Sequence, residues 1–153
     1  MKTKVLFICH GNICRSVMAE YIMKYLTKLH RCEEDFEIDS AAGSREEIGN
    51  PIYPAAAMQL SRCGIPLGSH KARQMTKADY AHFDYIIAMD RGNLREIERI
   101  AGEDTQNKVS LLMSYTDSNR EIADPWYTGN FDAAYRDIRF GCEALLAKLM
   151  ARK

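Results

Sequence analysis

The residues Cys9-His10-Gly11-Asn12-Ile13-Cys14-Arg15-Ser16 join an apolar run, Val5-Leu6-Phe7-Ile8, to a helical pattern. That junction constrains the fold more than any other feature of the chain. Four consecutive apolar residues, mostly branched, read as a buried strand, while Met18, Ile22, Tyr25, Leu26 and Leu29 recur at helical spacing. Cys9 therefore ends a strand and Ser16 starts a helix. In parallel α/β sheets, ligands bind beyond the carboxyl ends of the strands, where a helix amino terminus offers unpaired N–H groups and a positive dipole end.

An anion suits such a junction. Gly11 and Asn12 tolerate left-handed backbone angles, so the amides from His10 to Arg15 can turn inward as a nest for phosphate. The same field favours sulfur as the thiolate, the form that attacks, which makes Cys9 the candidate nucleophile. Arg15 supplies a planar fork that grips two phosphoryl oxygens, a geometry lysine cannot match. Ser16 can cap the helix with its hydroxyl and donate to the Cys9 sulfur.

The rest of the chain alternates strand and helix patterns. Strands are expected at 4–9, 36–40, 85–89 and 108–113, and helices at 16–30, 54–62, 92–101 and 130–151. On the last helix Phe131, Ala134, Ile138, Cys142, Leu145 and Leu149 form one apolar stripe, with Asn130 as its cap. The fold class is α/β, a single domain with a four-stranded parallel sheet and helices on both faces. Lys plus Arg equals Asp plus Glu at 21 each, so no broad basic surface invites nucleic acid or an anionic membrane. The apolar runs are too short to span a bilayer, and no signal peptide is expected. Five cysteines without small-scaffold spacing fit reduced thiols and a cytoplasmic setting. No cluster has metal-ligand spacing, so no metal and no cofactor are expected.

A Cys-x5-Arg spacing says little by itself: 5 cysteines and 12 arginines among 153 residues give roughly 0.4 such pairs by chance. The longer pattern Cys-x-Gly-Asn-x-Cys-Arg-Ser at the start, with Asp124-Pro125-Trp126-Tyr127 towards the end, resembles the low-molecular-weight protein tyrosine phosphatase family. Asp39-Ser40-Ala41-Ala42-Gly43, Gly64-Ile65-Pro66, His70-Lys71-Ala72-Arg73-Gln74 and Met89-Asp90-Arg91-Gly92-Asn93-Leu94 resemble family segments in matching order, and residues 1–153 read as one such domain.

The resemblance implies strand order 2-1-3-4 and hydrolysis of phosphotyrosine and aryl phosphate monoesters through a phosphocysteine. Cys9 would be the nucleophile and Arg15 the phosphate clamp. Asp124 would act as general acid, then base, with Pro125 stiffening its loop. Asn12, Ser16, Ser40, His70 and Asp90 would hold the loop's shape. Cys14 would trap an oxidised Cys9 as a reversible disulfide; read from the residue alone, Cys14 is equally a small buried filler. Cys32, Cys63 and Cys142 are expected on helices as packing residues. The partners implied are phosphotyrosine-containing proteins, and the protein is expected to be a monomer.

Several positions depart from the family pattern. Trp126 stands where relatives more often carry Tyr, and Val17 where Pro is common. Glu46 and Glu47 replace an aromatic or apolar wall, which would favour basic residues beside the phosphotyrosine. Trp126 and Tyr127 are expected to flank the mouth and sandwich an aryl ring, with Ile13 apolar on the loop rim, a setting better suited to an aryl group than to phosphoarginine. The alternatives are a thiol-linked arsenate reductase and a phosphate-binding module without turnover. The first needs a closely spaced cysteine pair, and none lies between Cys63 and Cys142. Against the second stands the joint presence of thiol, arginine and acid.

Overall fold

Val5, Leu6, Phe7 and Ile8 are fully buried because β1 (Thr3–Cys9) lies inside the sheet and is covered on both faces. The computed structural model describes residues 1–152. β1 pairs in parallel with β2 (Phe36–Ala42) on one side and β3 (Tyr85–Ala88) on the other, and β4 (Val109–Leu111) completes the order β2-β1-β3-β4. The expected order 2-1-3-4 is the observed one. Cys9 sits opposite Ala42, at the carboxyl end of the sheet.

Side chains alternate across a strand, so β1 feeds two cores. Val5, Phe7 and Cys9 pack beneath α1 (Arg15–Leu29), α2 (Pro54–Arg62) and α6 (Phe131–Ala151). Leu6 and Ile8 pack on the opposite face with Phe83 and Ile97, under α3 (Lys77–His82) and α4 (Arg91–Ala101). The α6 stripe is buried from Ala134 through Ile138, Cys142 and Leu145 to Leu149, whereas Phe131 is only partly covered. Each large aliphatic there contributes about 1.5–3 kcal/mol relative to exposure. Asn130 caps α6 as expected, its Oδ1 accepting from the Ala133 amide at 2.9 Å. On α1, Met18, Ile22 and Leu26 are buried, but Leu29 is exposed at the helix end.

Several boundaries differ from the pattern reading. α1 begins at Arg15, not Ser16. β2 runs two residues further, to Ala42, because the Arg73–Met75 segment bonds to it: the Ala42 amide donates to the Arg73 carbonyl at 2.7 Å and the Met75 amide to the Ala42 carbonyl at 2.8 Å. β4 stops at Leu111, and Leu112–Tyr115 coils into a 3-10 turn that buries Leu112 and Met113. α3 and the single turn α5 (Pro125–Thr128) are too short to show a period. α3 has a start signal nevertheless, a capping box in which Thr76 Oγ1 accepts from the Asp79 amide and Asp79 Oδ2 from the Thr76 amide. Cys32 lies beyond α1 and Cys63 caps α2, so of the three expected helical cysteines only Cys142 is within a helix.

Gly141 lets α6 approach the 3-10 turn closely. A Cβ at that position would lie 2.6 Å from Leu112 Cγ, and Leu112 is itself fully buried. Gly141→Ala gains about 0.5–1 kcal/mol of helix propensity but forces overpacking that costs about 1–3 kcal/mol. The expected net result is a loss of about 1–2 kcal/mol, read as a lower urea midpoint with an unchanged slope.

Candidate active site

The turn from β1 into α1 is shaped by Asn12. Its φ of 60° reverses the chain, a conformation that Asn adopts more readily than most residues. Gly11 has no positive φ; its lack of a side chain instead admits Glu47, whose Cγ would lie 3.3 Å from an added Cβ. Asn12 is fully buried and all its polar groups are engaged. Nδ2 donates to Ser16 Oγ at 2.8 Å and to Ser40 Oγ at 3.0 Å, Oδ1 accepts from the Arg73 amide, and the carbonyl accepts from His70 Nε2 at 2.6 Å. Ser40 donates in turn to Glu20 Oε1 at 2.6 Å, and Lys24 pairs with the other Glu20 oxygen.

Ser16 is not the helix cap. α1 has no side-chain cap at Cys14, and Ser16 Oγ lies 3.0 Å from Cys9 Sγ, where its geometry commits it to the sulfur. The Asn12 amide also points at that sulfur, 3.3 Å away. Leaving the first helical turn uncapped by its own side chains keeps its N–H groups available to an anion.

Arg15 is 2% exposed, and its guanidinium crosses the site. Nη1 donates to Asp90 Oδ2 at 2.7 Å and to the Ile122 carbonyl at 2.8 Å, and Nη2 reaches Asp124 Oδ2 at 3.3 Å. Burial works against its charge, but the Cys9 sulfur, Asp124 and Asp90 outweigh that and raise its pKa. Its Nε is buried with no protein partner, a donor suited to a phosphoryl oxygen. Asp90 is aimed by its place as the α4 cap: Oδ1 takes the Asn93 amide at 2.9 Å, leaving Oδ2 for Arg15. Asp124 likewise caps α5 through Oδ1, which accepts from the Trp126 amide at 3.0 Å.

These groups enclose a pocket of about 100 Å³. Cys9, Cys14 and Arg15 line its base, Ile13, Trp126 and Tyr127 its apolar walls, and Glu46, Glu47 and Asp124 its acidic rim. Ile13 is nearly buried against Cys14, Ala72 and Tyr53, so it is wall and not exposed rim. Trp126 and Tyr127 are 52% and 81% exposed, which excludes core packing for either. Trp126 is braced edge-on by Tyr53, ring centroids 4.9 Å apart, and Tyr53 stacks on Phe131. Burial pushes the Cys14 thiol up to about 12.

The two glutamates are not simply solvated. Glu46 pairs with His10 Nε2, and Glu47 Oε1 accepts from Asn50 Nδ2 at 3.0 Å. The sequence reading missed Glu20, Tyr53, Arg73 and Glu96. Glu20 alone carried a local signal, standing one turn after Ser16 and one turn before Lys24; the others reach the site only through the fold. No helix among the described residues is long and apolar enough to cross a membrane.

Residues 4–153 match the sequence family described as low molecular weight phosphotyrosine protein phosphatase. A low molecular weight protein-tyrosine-phosphatase of Bacillus subtilis, YfkJ, is 39% identical over 151 residues, 97% of each chain, and the crystal structure of YfkJ superposes with a TM-score of 0.96 over 100% of this chain and 98% of that one. The low molecular weight phosphotyrosine protein phosphatase of Homo sapiens is 42% identical over 149 residues, 94% of each chain. The crystal structure of DARP, a Drosophila arginine phosphatase, is 36% identical, with a TM-score of 0.86 over 97% of this chain and 98% of that one. The family match and these identities agree with the strand order and with the junction at Cys9: the chain belongs to the low molecular weight phosphotyrosine protein phosphatase family.

Proposed function

We propose that this chain is a protein-tyrosine phosphatase that hydrolyses phosphotyrosine and aryl phosphate monoesters through a phosphocysteine. The observation that carries the reading is the 3.3 Å approach of Asp124 Oδ2 to Arg15 Nη2 on a pocket lined by the Cys9 sulfur, which gathers clamp, acid and nucleophile at one small site. A dianionic phosphoryl group repels an approaching thiolate unless its charge is met. The loop amides and Arg15 meet it, with Nε as the unengaged donor. Cys9 Sγ attacks phosphorus in line, the P–O bond to the aryl group breaks, and Asp124 delivers its proton to the leaving oxygen. Water then attacks the phosphocysteine, gives a proton to Asp124, and expels the thiolate, which Ser16 Oγ stabilises from 3.0 Å.

The walls favour an aryl substrate over phosphoarginine. Trp126 and Tyr127 offer exposed ring faces, worth roughly 0.5–1.5 kcal/mol beyond burial, and Ile13 offers no partner to a guanidinium. Cys9, Cys14, Cys63 and Cys142 stand in no disulfide, in keeping with a reducing, cytoplasmic setting; the partners are phosphotyrosine-containing proteins. Cys14 serves as the resolving thiol. When peroxide converts Cys9 to a sulfenic acid, the Cys14 sulfur attacks it, an S–S bond forms, and water leaves.

The decisive assay is phosphate release from an aryl phosphate and from phosphotyrosine, phosphoserine and phosphoarginine peptides, with Cys9→Ser as the inactive control. Asp124→Ala is expected to lower turnover about 10²- to 10⁴-fold for poor leaving groups and much less for activated ones. Equal losses for both would remove Asp124 from the acid role. Peroxide inactivation is expected to be reversed by dithiothreitol in the wild type and to become largely irreversible in Cys14→Ala. Equal recovery in the two proteins would assign Cys14 to packing alone.

A further inference from the structure

His10 follows the nucleophile directly, and both of its ring nitrogens face carboxylates. Nδ1 lies 2.7 Å from Glu96 Oε2 on α4, and Nε2 bonds Glu46 Oε2 at the pocket mouth. Ionised carboxylates only accept, so this arrangement requires both nitrogens to donate, and the ring is an imidazolium. Burial pulls its pKa down, but Glu46 and Glu96 together raise it above the ordinary histidine value.

The two carboxylates differ in what they can lose. Glu96 is 8% exposed, its Oε1 has no hydrogen-bond partner, and it packs so tightly on Gly43 that an added Cβ would lie 2.4 Å from Oε1. Glu46 is 65% exposed. Stripping Glu96 of its donor would leave a buried, unpaired charge, whereas Glu46 can be rehydrated. The neutral ring therefore keeps the Nδ1 proton on Glu96 and gives up the Nε2 proton to solvent. Ser44 ties the same two segments by backbone: its amide and hydroxyl both donate to the His10 carbonyl, at 3.1 and 2.7 Å.

We infer that His10 is a positioning residue: its imidazolium, held by Glu96, keeps the Glu46 loop against the phosphate loop and adds a positive charge beside the bound phosphate. The inference rests on the phosphatase reading above. Loss of the Nε2 proton removes that positive charge and leaves Glu46 as an uncompensated anion at the mouth. Both changes disfavour a dianionic substrate. The other ionisable groups lining the two pockets that share His10 are Cys9, Cys14 and Arg15 on its own loop, Glu47 on the mouth loop, and Asp124 with Tyr127 opposite. Asp90, Arg95 and Arg99 approach from the cap and face of α4. All of these remain when His10 is replaced, so a change that vanishes with His10 belongs to it.

The test pairs a ring titration by NMR with steady-state kinetics on a small aryl phosphate from about pH 6 to about pH 9. His10→Asn identifies the His10 signal among the four histidines. In the wild type the His10 midpoint is expected above 6.5, the ordinary value, and Glu96→Gln should move it down. KM is expected to rise about three- to tenfold through that midpoint while kcat follows a separate profile. His10→Asn should show the high KM throughout with no step, and His10→Lys should hold it low without one. The second ionisation of the substrate, near 6, is common to all variants and cancels in the comparison. A His10 midpoint at or below the ordinary value, or a KM step that survives His10→Asn, overturns the inference. Should His10→Asn fail to fold, His10→Lys assigns the His10 signal instead, and the midpoint with its displacement by Glu96→Gln decides. Absence of phosphate release by the wild type would instead strike the phosphatase reading and leave the ring titration standing.

Discussion

A single guanidinium, buried to all but 2% of its surface, sets the terms for the rest of this molecule. Removing Arg15 from water costs several kcal/mol unless carboxylates and hydrogen bonds replace its hydration. Two carboxylates and one carbonyl do so, and they come from separate places: Asp90 from the turn between β3 and α4, Ile122 and Asp124 from the segment leading into α5. That segment is pinned to the sheet by the Ile122 amide, which donates to the Met89 carbonyl at 3.0 Å. Satisfying one buried charge thus fixes Asp124 beside the pocket that Cys9 lines. The pairing also leaves the guanidinium's Nε buried with no internal partner.

Beneath the guanidinium, neutral hydrogen bonds hold the loop. A left-handed residue other than glycine costs roughly 1–2 kcal/mol, and Asn12 offsets that with contacts to Ser16, Ser40, Arg73 and His70. These partners come from α1, β2 and the 70–73 segment, so the loop's shape depends on elements far apart in sequence. Ser16 shows the consequence. A hydroxyl that would serve as a helix cap in isolation is drawn to the sulfur, and the helix start keeps its amides free for an anion.

Floor and walls follow different physics. The floor is buried and, Arg15 Nε apart, held by hydrogen bonds, with Arg73 tied to Asp79 at 2.9 Å and Ser40 tied to Glu20. The walls are exposed: Trp126 leans on Tyr53, Tyr127 stands in solvent, and the acidic rim is held by His10 and Asn50. Chemistry needs atoms fixed within fractions of an ångström, whereas recognition of an aryl ring needs faces and room to admit it.

The sequence by itself determined the strand-to-helix junction and the parallel α/β class, and it singled out Cys9 and Arg15 as candidate thiol and clamp; Asp124 as candidate acid came with the family resemblance. The junction is written locally, in Val5–Ile8 as an unbroken apolar run and in the helical spacing after Ser16. Strand order came with the family resemblance, since the pattern of elements alone permits others. Tertiary structure alone decided the start of α1 at Arg15, the extension of β2 to Ala42, the nearly buried Ile13 and the parts played by Glu20, Tyr53, Arg73 and Glu96. Such features depend on partners dozens of residues away, as His10 and Glu96 do across 86 positions. A local pattern records which face of a strand or helix is apolar; it does not record which buried charge will meet which donor once the elements pack.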